Sequence, residues 1–149
     1  MTDHKLFIDS WGFICLFSSG EPHHLEVKEY FNKCMSIKYR MLTSNLVISE
    51  VITLLYRKLG HEKSKVSIDY LFESIDAGIL ECIWSDLTNT KNALELRYRL
   101  KDKPGISFVD LSSMIIMKDA EITEVLTADK HFQQVNMGFE LKPELAKCL

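Results

Sequence analysis

The carboxylates of this sequence stand where chemistry is most easily done. Asp9 closes the apolar run Leu6-Phe7-Ile8, Asp110 follows Ile106-Ser107-Phe108-Val109, and Asp129 stands just after Leu126-Thr127-Ala128. Helix-like sequence follows each, so all three are expected at strand-to-helix turns. In an open parallel sheet, ligands bind in the crevice outside the carboxyl ends of the strands, where neighbouring strand tips converge. An aspartate at such a turn also caps a helix, for about 1 kcal/mol, and one residue can serve both ends. Glu50 is a fourth acid, on or beside a stripe of Val47, Val51, Leu54 and Leu55 spaced three and four apart. A carboxylate facing a core costs several kcal/mol unless it is paired or bound to a cation. A helix rotated to turn Glu50 toward solvent is the alternative.

Gathered acids without interleaved histidine or cysteine suit hard cations, Mg2+ or Mn2+. Such sites perform phosphoryl transfer, in which the ion activates water and neutralises charge on the phosphate. The hydroxyls of Ser10, Ser113 and Thr127 are placed to support the ligands, or serve as turn residues. His23-His24 offers another ligand pair, although a surface loop ahead of a helix accounts for it equally. Trp11, just past Asp9, is a candidate for stacking a base or for the core.

Several elements are expected to position these groups. Lys5–Asp9 reads as a strand buried on both faces, and Arg40–Thr43 as a second. Glu21-Pro22 begins a helix to about Ile37, carried by Val27, Tyr30, Phe31, Cys34 and Met35. Val47–Leu59 reads as a helix with Gly60 as its C-terminal cap. Val66, Ile68, Leu71, Phe72 and Ile75 form another helical stripe, Ile79–Trp84 a strand, and Leu87–Leu100 a helix broken by Lys103-Pro104-Gly105. Met137–Leu141 is a possible edge strand closed by Pro143. Strands alternating with helices predict one α/β domain with a mainly parallel central sheet flanked by helices.

Composition narrows the function classes. The 149 residues are 46% hydrophobic and 26% charged, with a formal charge of −3. That is ordinary globular composition, and the charge gives no general pull toward nucleic acid. A nucleic-acid role therefore rests on bound metal or on a local patch. Arg97, Arg99, Lys101 and Lys103 form one basic cluster, and Arg57, Lys58, Lys63 and Lys65 another; either borders the acids or is a solvated face. Cys15, Cys34, Cys82 and Cys148 lack the close pairing of zinc sites and disulfide frameworks, which predicts reduced thiols and a cytoplasmic setting. No run approaches the roughly 20 apolar residues of a bilayer span, and Asp9 interrupts the only signal-like stretch. The second aspartate of haloacid-dehalogenase phosphatases is absent, since position 11 is Trp11, and no G-x-G-x-x-G turn is present.

Four segments resemble the PIN-domain family, and more closely its VapC-type ribonuclease toxins: Phe7-Ile8-Asp9-Ser10, Thr43–Glu50, Ser107–Ser113 and Leu126–Phe132, in the family's order and spacing. The resemblance spans nearly the whole chain and implies a single PIN-like nuclease domain over residues 1–149. It implies Asp9, Glu50, Asp110 and Asp129 as ligands of Mg2+ or Mn2+, with Thr43, Asn45, Ser113 and Thr127 at the family's small polar positions. It further implies an endoribonuclease, the toxin of a type II toxin–antitoxin pair, with an RNA substrate, 5′-phosphate and 3′-hydroxyl products, a cognate antitoxin and a homodimer. The competing reading is a non-catalytic PIN-like binding or regulatory module that retains the acidic pocket.

Overall fold

The computed structural model describes residues 3–145. In chain order these form β1 (Lys5–Ile8), α1 (Ser10–Phe17), α2 (His24–Ser36), β2 (Arg40–Ser44), α3 (Asn45–Asp76), β3 (Leu80–Ile83), α4 (Leu87–Arg99), α5 (Phe108–Asp119), β4 (Glu124–Leu126), α6 (His131–Gln134) and β5 (Glu140–Lys142). The strands make one sheet in the order β3-β2-β1-β4-β5, and every neighbouring pair runs parallel. The expected α/β fold is therefore present. Strand order reverses at β1, so the chain has a topological switch point between β1 and β4, where a crevice opens at the carboxyl edge.

The centre of the sheet is dry. Leu6, Phe7 and Ile8 of β1 and Val125 and Leu126 of β4 are fully buried, as expected of strands covered on both faces. Residues Asp110 to Met117 of α5 are buried without interruption, so this helix is enclosed all round rather than amphipathic. Ser112 is satisfied across to α4: its Oγ donates to Asn89 Oδ1 at 2.6 Å, and Asn89 Nδ2 returns a bond to the Ser112 carbonyl at 3.3 Å.

Helix α1 lies close against β4. A Cβ on Gly12 would come within 2.7 Å of the Leu126 carbonyl oxygen, nearer than non-bonded atoms tolerate. Only glycine allows this approach, and the approach brings the end of β1 beside the end of β4.

Four expectations about the elements are corrected. Asp110 does not end a strand: Ile106–Val109 leads into α5, Ser107 is its N-cap, and the Ser107 hydroxyl accepts from the Asp110 amide at 3.1 Å. A serine cap followed three residues later by an acid is a helix start, and it overrides the β-branched and aromatic character of the run. Gly60 does not stop a helix for good. At φ 73°, ψ −178° it swings the chain, and helical structure resumes at once to Asp76. In the second half of α3, Leu71 is buried, but Val66 and Phe72 of the expected stripe are exposed. The possible edge strand is β5, which starts at Glu140 rather than Met137. Cys15, Cys34 and Cys82 are free; Cys148 lies outside the described residues. Among the described residues no helix is long and apolar enough to cross a membrane.

Candidate metal centre

The end of β1 delivers the first acid. Asp9 is the residue before α1, and its extended backbone (φ −82°, ψ 168°) starts that helix without a side-chain cap bond. Its carboxylate is therefore free of the capping role that could have explained it. The neighbouring strands hold it in place: the Asp9 amide donates to the Leu126 carbonyl at 3.3 Å, and Thr43 Oγ1 donates to the Ile8 carbonyl at 2.9 Å. Thr127, buried just past β4, donates its hydroxyl to Asp9 Oδ2 at 2.8 Å. The same Thr127 oxygen accepts from the Asp129 amide at 3.2 Å, so one hydroxyl orients two acids.

Helix α3 supplies Glu50. Ser44 caps its start through the Val47 amide at 3.2 Å. Asn45 Oδ1 accepts from the Ser85 amide at 2.6 Å, pinning the loop after β3 to the same helix end. Glu50 is half-buried and accepts from Ser10 Oγ at 2.6 Å. It faces the other acids rather than open solvent.

Asp110 comes from the first turn of α5, and the loop leading to it is fastened by Arg97. The Arg97 guanidinium donates to the backbone carbonyls of Ile106 at 2.8 Å, Leu100 at 2.5 Å and Lys103 at 2.6 Å. This member of the densest basic cluster is thereby committed to the fold rather than to phosphate. Lys58 and Lys65 of the second cluster pair with Glu21 and Asp69.

Asp9, Glu50, Asp110 and Asp129 line one open cavity of about 480 Å³, together with Ser10, Trp11, Gly105, Ser107, Ala128 and His131. Asp9 is 4% exposed and Asp110 8%. Burial pushes the Asp9 carboxyl up to about 6, against the lowering bond from Thr127, with the charges of Glu50 and Asp129 adding to the rise. Asp110 is pushed up to about 8, first by burial and then by the charges of Asp9 and Asp129. Among the described residues Asp9 Oδ1 is buried with no hydrogen-bond partner. Crowded, desolvated carboxylates with an orphaned oxygen are what a divalent cation would satisfy, and the oxygen donors fit Mg2+ or Mn2+.

The remaining candidates fall unequally. Thr127 and Ser10 touch the acids directly, whereas Thr43 and Asn45 act through the backbone around them. Ser113 is fully buried, and its hydroxyl has no hydrogen-bond partner among the described residues. His23 pairs with Glu26 and His24 with the Cys15 carbonyl; neither lines the cavity. Trp11 does line it, half-buried, with its ring 6.0 Å from that of His23. Reading by acid spacing passes over His131, which brings a ring nitrogen to the same cavity. The signal was its position two residues after Asp129, within one turn.

The sequence and the fold are both similar to known proteins. The sequence model of the PIN domain matches residues 6–137. The chain is 25% identical over 134 residues to the VapC ribonuclease of Archaeoglobus fulgidus, covering 88% of this chain and 81% of that protein. It is 26% identical over 146 residues to the 23S rRNA-specific endonuclease VapC20 of Mycobacterium tuberculosis, covering 93% and 99%. The crystal structure of that VapC20, a Sarcin-Ricin loop cleaving toxin, matches with a TM-score of 0.74 at 24% identity over 91% of this chain and 96% of that one. DNA-bound VapBC from Salmonella typhimurium matches with a TM-score of 0.68 at 18% identity, over 93% and 97%.

Proposed function

The chain belongs to the PIN-domain family, and from that premise we propose that it is a Mg2+- or Mn2+-dependent endoribonuclease, the toxin of a type II toxin–antitoxin pair. The observation that carries this reading is the convergence of Asp9, Glu50, Asp110 and Asp129 on one cavity at the switch point of a parallel sheet. RNA as the substrate class is supported by the names of the two similar proteins, a ribonuclease and an rRNA endonuclease. A protein antitoxin is supported by the likeness to VapBC. Three free cysteines are compatible with a reducing cytoplasm.

The four acids would hold the ion. When bound, it lowers the pKa of water and neutralises charge at the scissile phosphate. The chain's own residues prepare for this. Thr127 holds the Asp9 carboxylate and the Asp129 backbone amide, and Ser10 holds the Glu50 carboxylate. The Ser107 cap and the Arg97 clasp set the turn that presents Asp110. Trp11 offers an aromatic face at the cavity wall on which a base can stack. Attack by water on the phosphorus, with the P–O3′ bond breaking and the 3′ oxygen leaving as a hydroxyl, gives a 5′-phosphate and a 3′-hydroxyl.

Cleavage of ribosomal RNA by the wild type, and its loss by at least about a hundredfold in Asp9→Asn and Asp110→Asn, tests the proposal. Equal cleavage by the variants would sink it. The homodimer is supported by a bare apolar stripe on α4: Leu87 is 68% exposed, Leu94 40% and Tyr98 65%, preceded by Trp84 at 71%. These spacings of seven and four put the helical residues on one face. Light scattering is expected to read twice the 17.2 kDa chain mass; a monomer at micromolar concentration contradicts the dimer.

A further inference from the structure

We propose that His131 is a nitrogen ligand of the same cation site, and that this donor shifts the site's preference from Mg2+ toward Mn2+. The inference rests on the reading of the cavity as a cation site and adds to it a ligand of different chemistry.

One ring nitrogen of His131 and one carboxylate oxygen from each of Asp110 and Asp129 lie within 4.8 Å of one another. That is the spacing at which three donors can share an ion. Nδ1 stands 3.1 Å from Asp129 Oδ1 but lacks the alignment of a hydrogen bond, and it is shut off from solvent. The pair is held by the backbone instead: the His131 amide donates to Asp129 Oδ1 at 2.9 Å, closing a tight turn that presents both side chains to the cavity. On the other side the ring faces Gly105 of the Arg97-clasped loop, where an added Cβ would lie 3.7 Å from Nε2. An independent sign of a cation site comes from Asp9, whose Oδ1 is buried in the same cavity with no hydrogen-bond partner among the described residues.

The donor type decides the preference. Mg2+ takes oxygen ligands, demands near-ideal octahedral geometry and gives up its water reluctantly, whereas imidazole is a ligand of transition metals, the class to which Mn2+ belongs. A neutral imidazole also adds a lone pair without adding negative charge. A further carboxylate in its place would worsen the repulsion that already bears on Asp110.

Pulsed electron paramagnetic resonance of the Mn2+-loaded wild type tests this without any substitution, because a directly bound imidazole produces a nitrogen-14 modulation. Calorimetric titration of wild type and His131→Asn with Mn2+ and with Mg2+ is the companion measurement. The modulation is expected in the wild type and absent in the variant, with Mn2+ affinity lower on the order of tenfold and Mg2+ affinity little changed. Mn2+ binding with no nitrogen modulation, or with modulation that survives in His131→Asn, overturns the role of His131 and leaves the acid site standing. No binding of either ion to the wild type overturns both.

Discussion

Asp9 and Asp110 carry opposing demands. Folding buries them, which penalises their charge, while the proposed function needs that charge to hold a cation. The penalty has a sign that can be measured. In the unfolded chain both carboxyls titrate near 4; in the folded chain they are raised to about 6 and about 8. Between those limits the folded state holds the extra protons, so stability contributed by these groups is full below about pH 4 and is lost as pH rises through 8. At about 1.4 kcal/mol per unit, Asp9 alone is worth on the order of 3 kcal/mol. The metal-free protein is therefore expected to melt at progressively lower temperature from pH 5 to pH 8, with Mn2+ restoring the loss. Asp110→Asn should flatten that decline and melt higher than wild type at pH 8; a variant with the wild-type slope contradicts the electrostatic account. Asp9 was legible as a strand-end acid and Glu50 by its helical spacing, whereas Asp110, expected at a strand end, stands in the first turn of α5. His131 and the silence of the Ser113 hydroxyl were not legible, because both depend on which way a side chain points.

At the scale of elements, each acid is only as well placed as the joint that presents it. Ser107 caps α5, Gly12 lets α1 press against β4, and Arg97 clasps the carbonyls of Leu100, Lys103 and Ile106. Arg97→Met keeps most of the apolar stem but removes all the donors. It should cost about 3 kcal/mol by denaturant unfolding and weaken cation binding as the turn before Asp110 loosens. Unchanged stability with impaired cleavage would instead make Arg97 a substrate contact. The element types were mostly readable from apolar periodicity. The misreadings have local causes. Ile106–Val109 has strand composition, but a serine followed three residues later by an acid starts a helix. Gly60 has the residue type of a helix cap, yet its positive φ redirects a helix that then continues. The exposed Val66 and Phe72 show that apolar spacing alone does not say which face is covered.

For the whole molecule, the parallel order β3-β2-β1-β4-β5 converts acids scattered from position 9 to position 129 into neighbours. Alternation of strands and helices predicted the parallel sheet, but not its order; that depends on which crossovers pack, a long-range property invisible in local pattern. The order matters because the switch point falls between β1 and β4, where Asp9 and Asp129 emerge. The net charge of −3 gives the chain as a whole no electrostatic pull on nucleic acid, so under the proposed function phosphate contact falls to the ion and to local groups. The most direct measurement of the central claim is incubation of purified protein with ribosomal RNA in Mg2+ or Mn2+, with and without EDTA, mapping the product ends. Cuts that appear only with metal and carry 5′-phosphate and 3′-hydroxyl ends are the expected result. Cleavage that survives EDTA, or ends bearing a 2′,3′-cyclic phosphate, would contradict it.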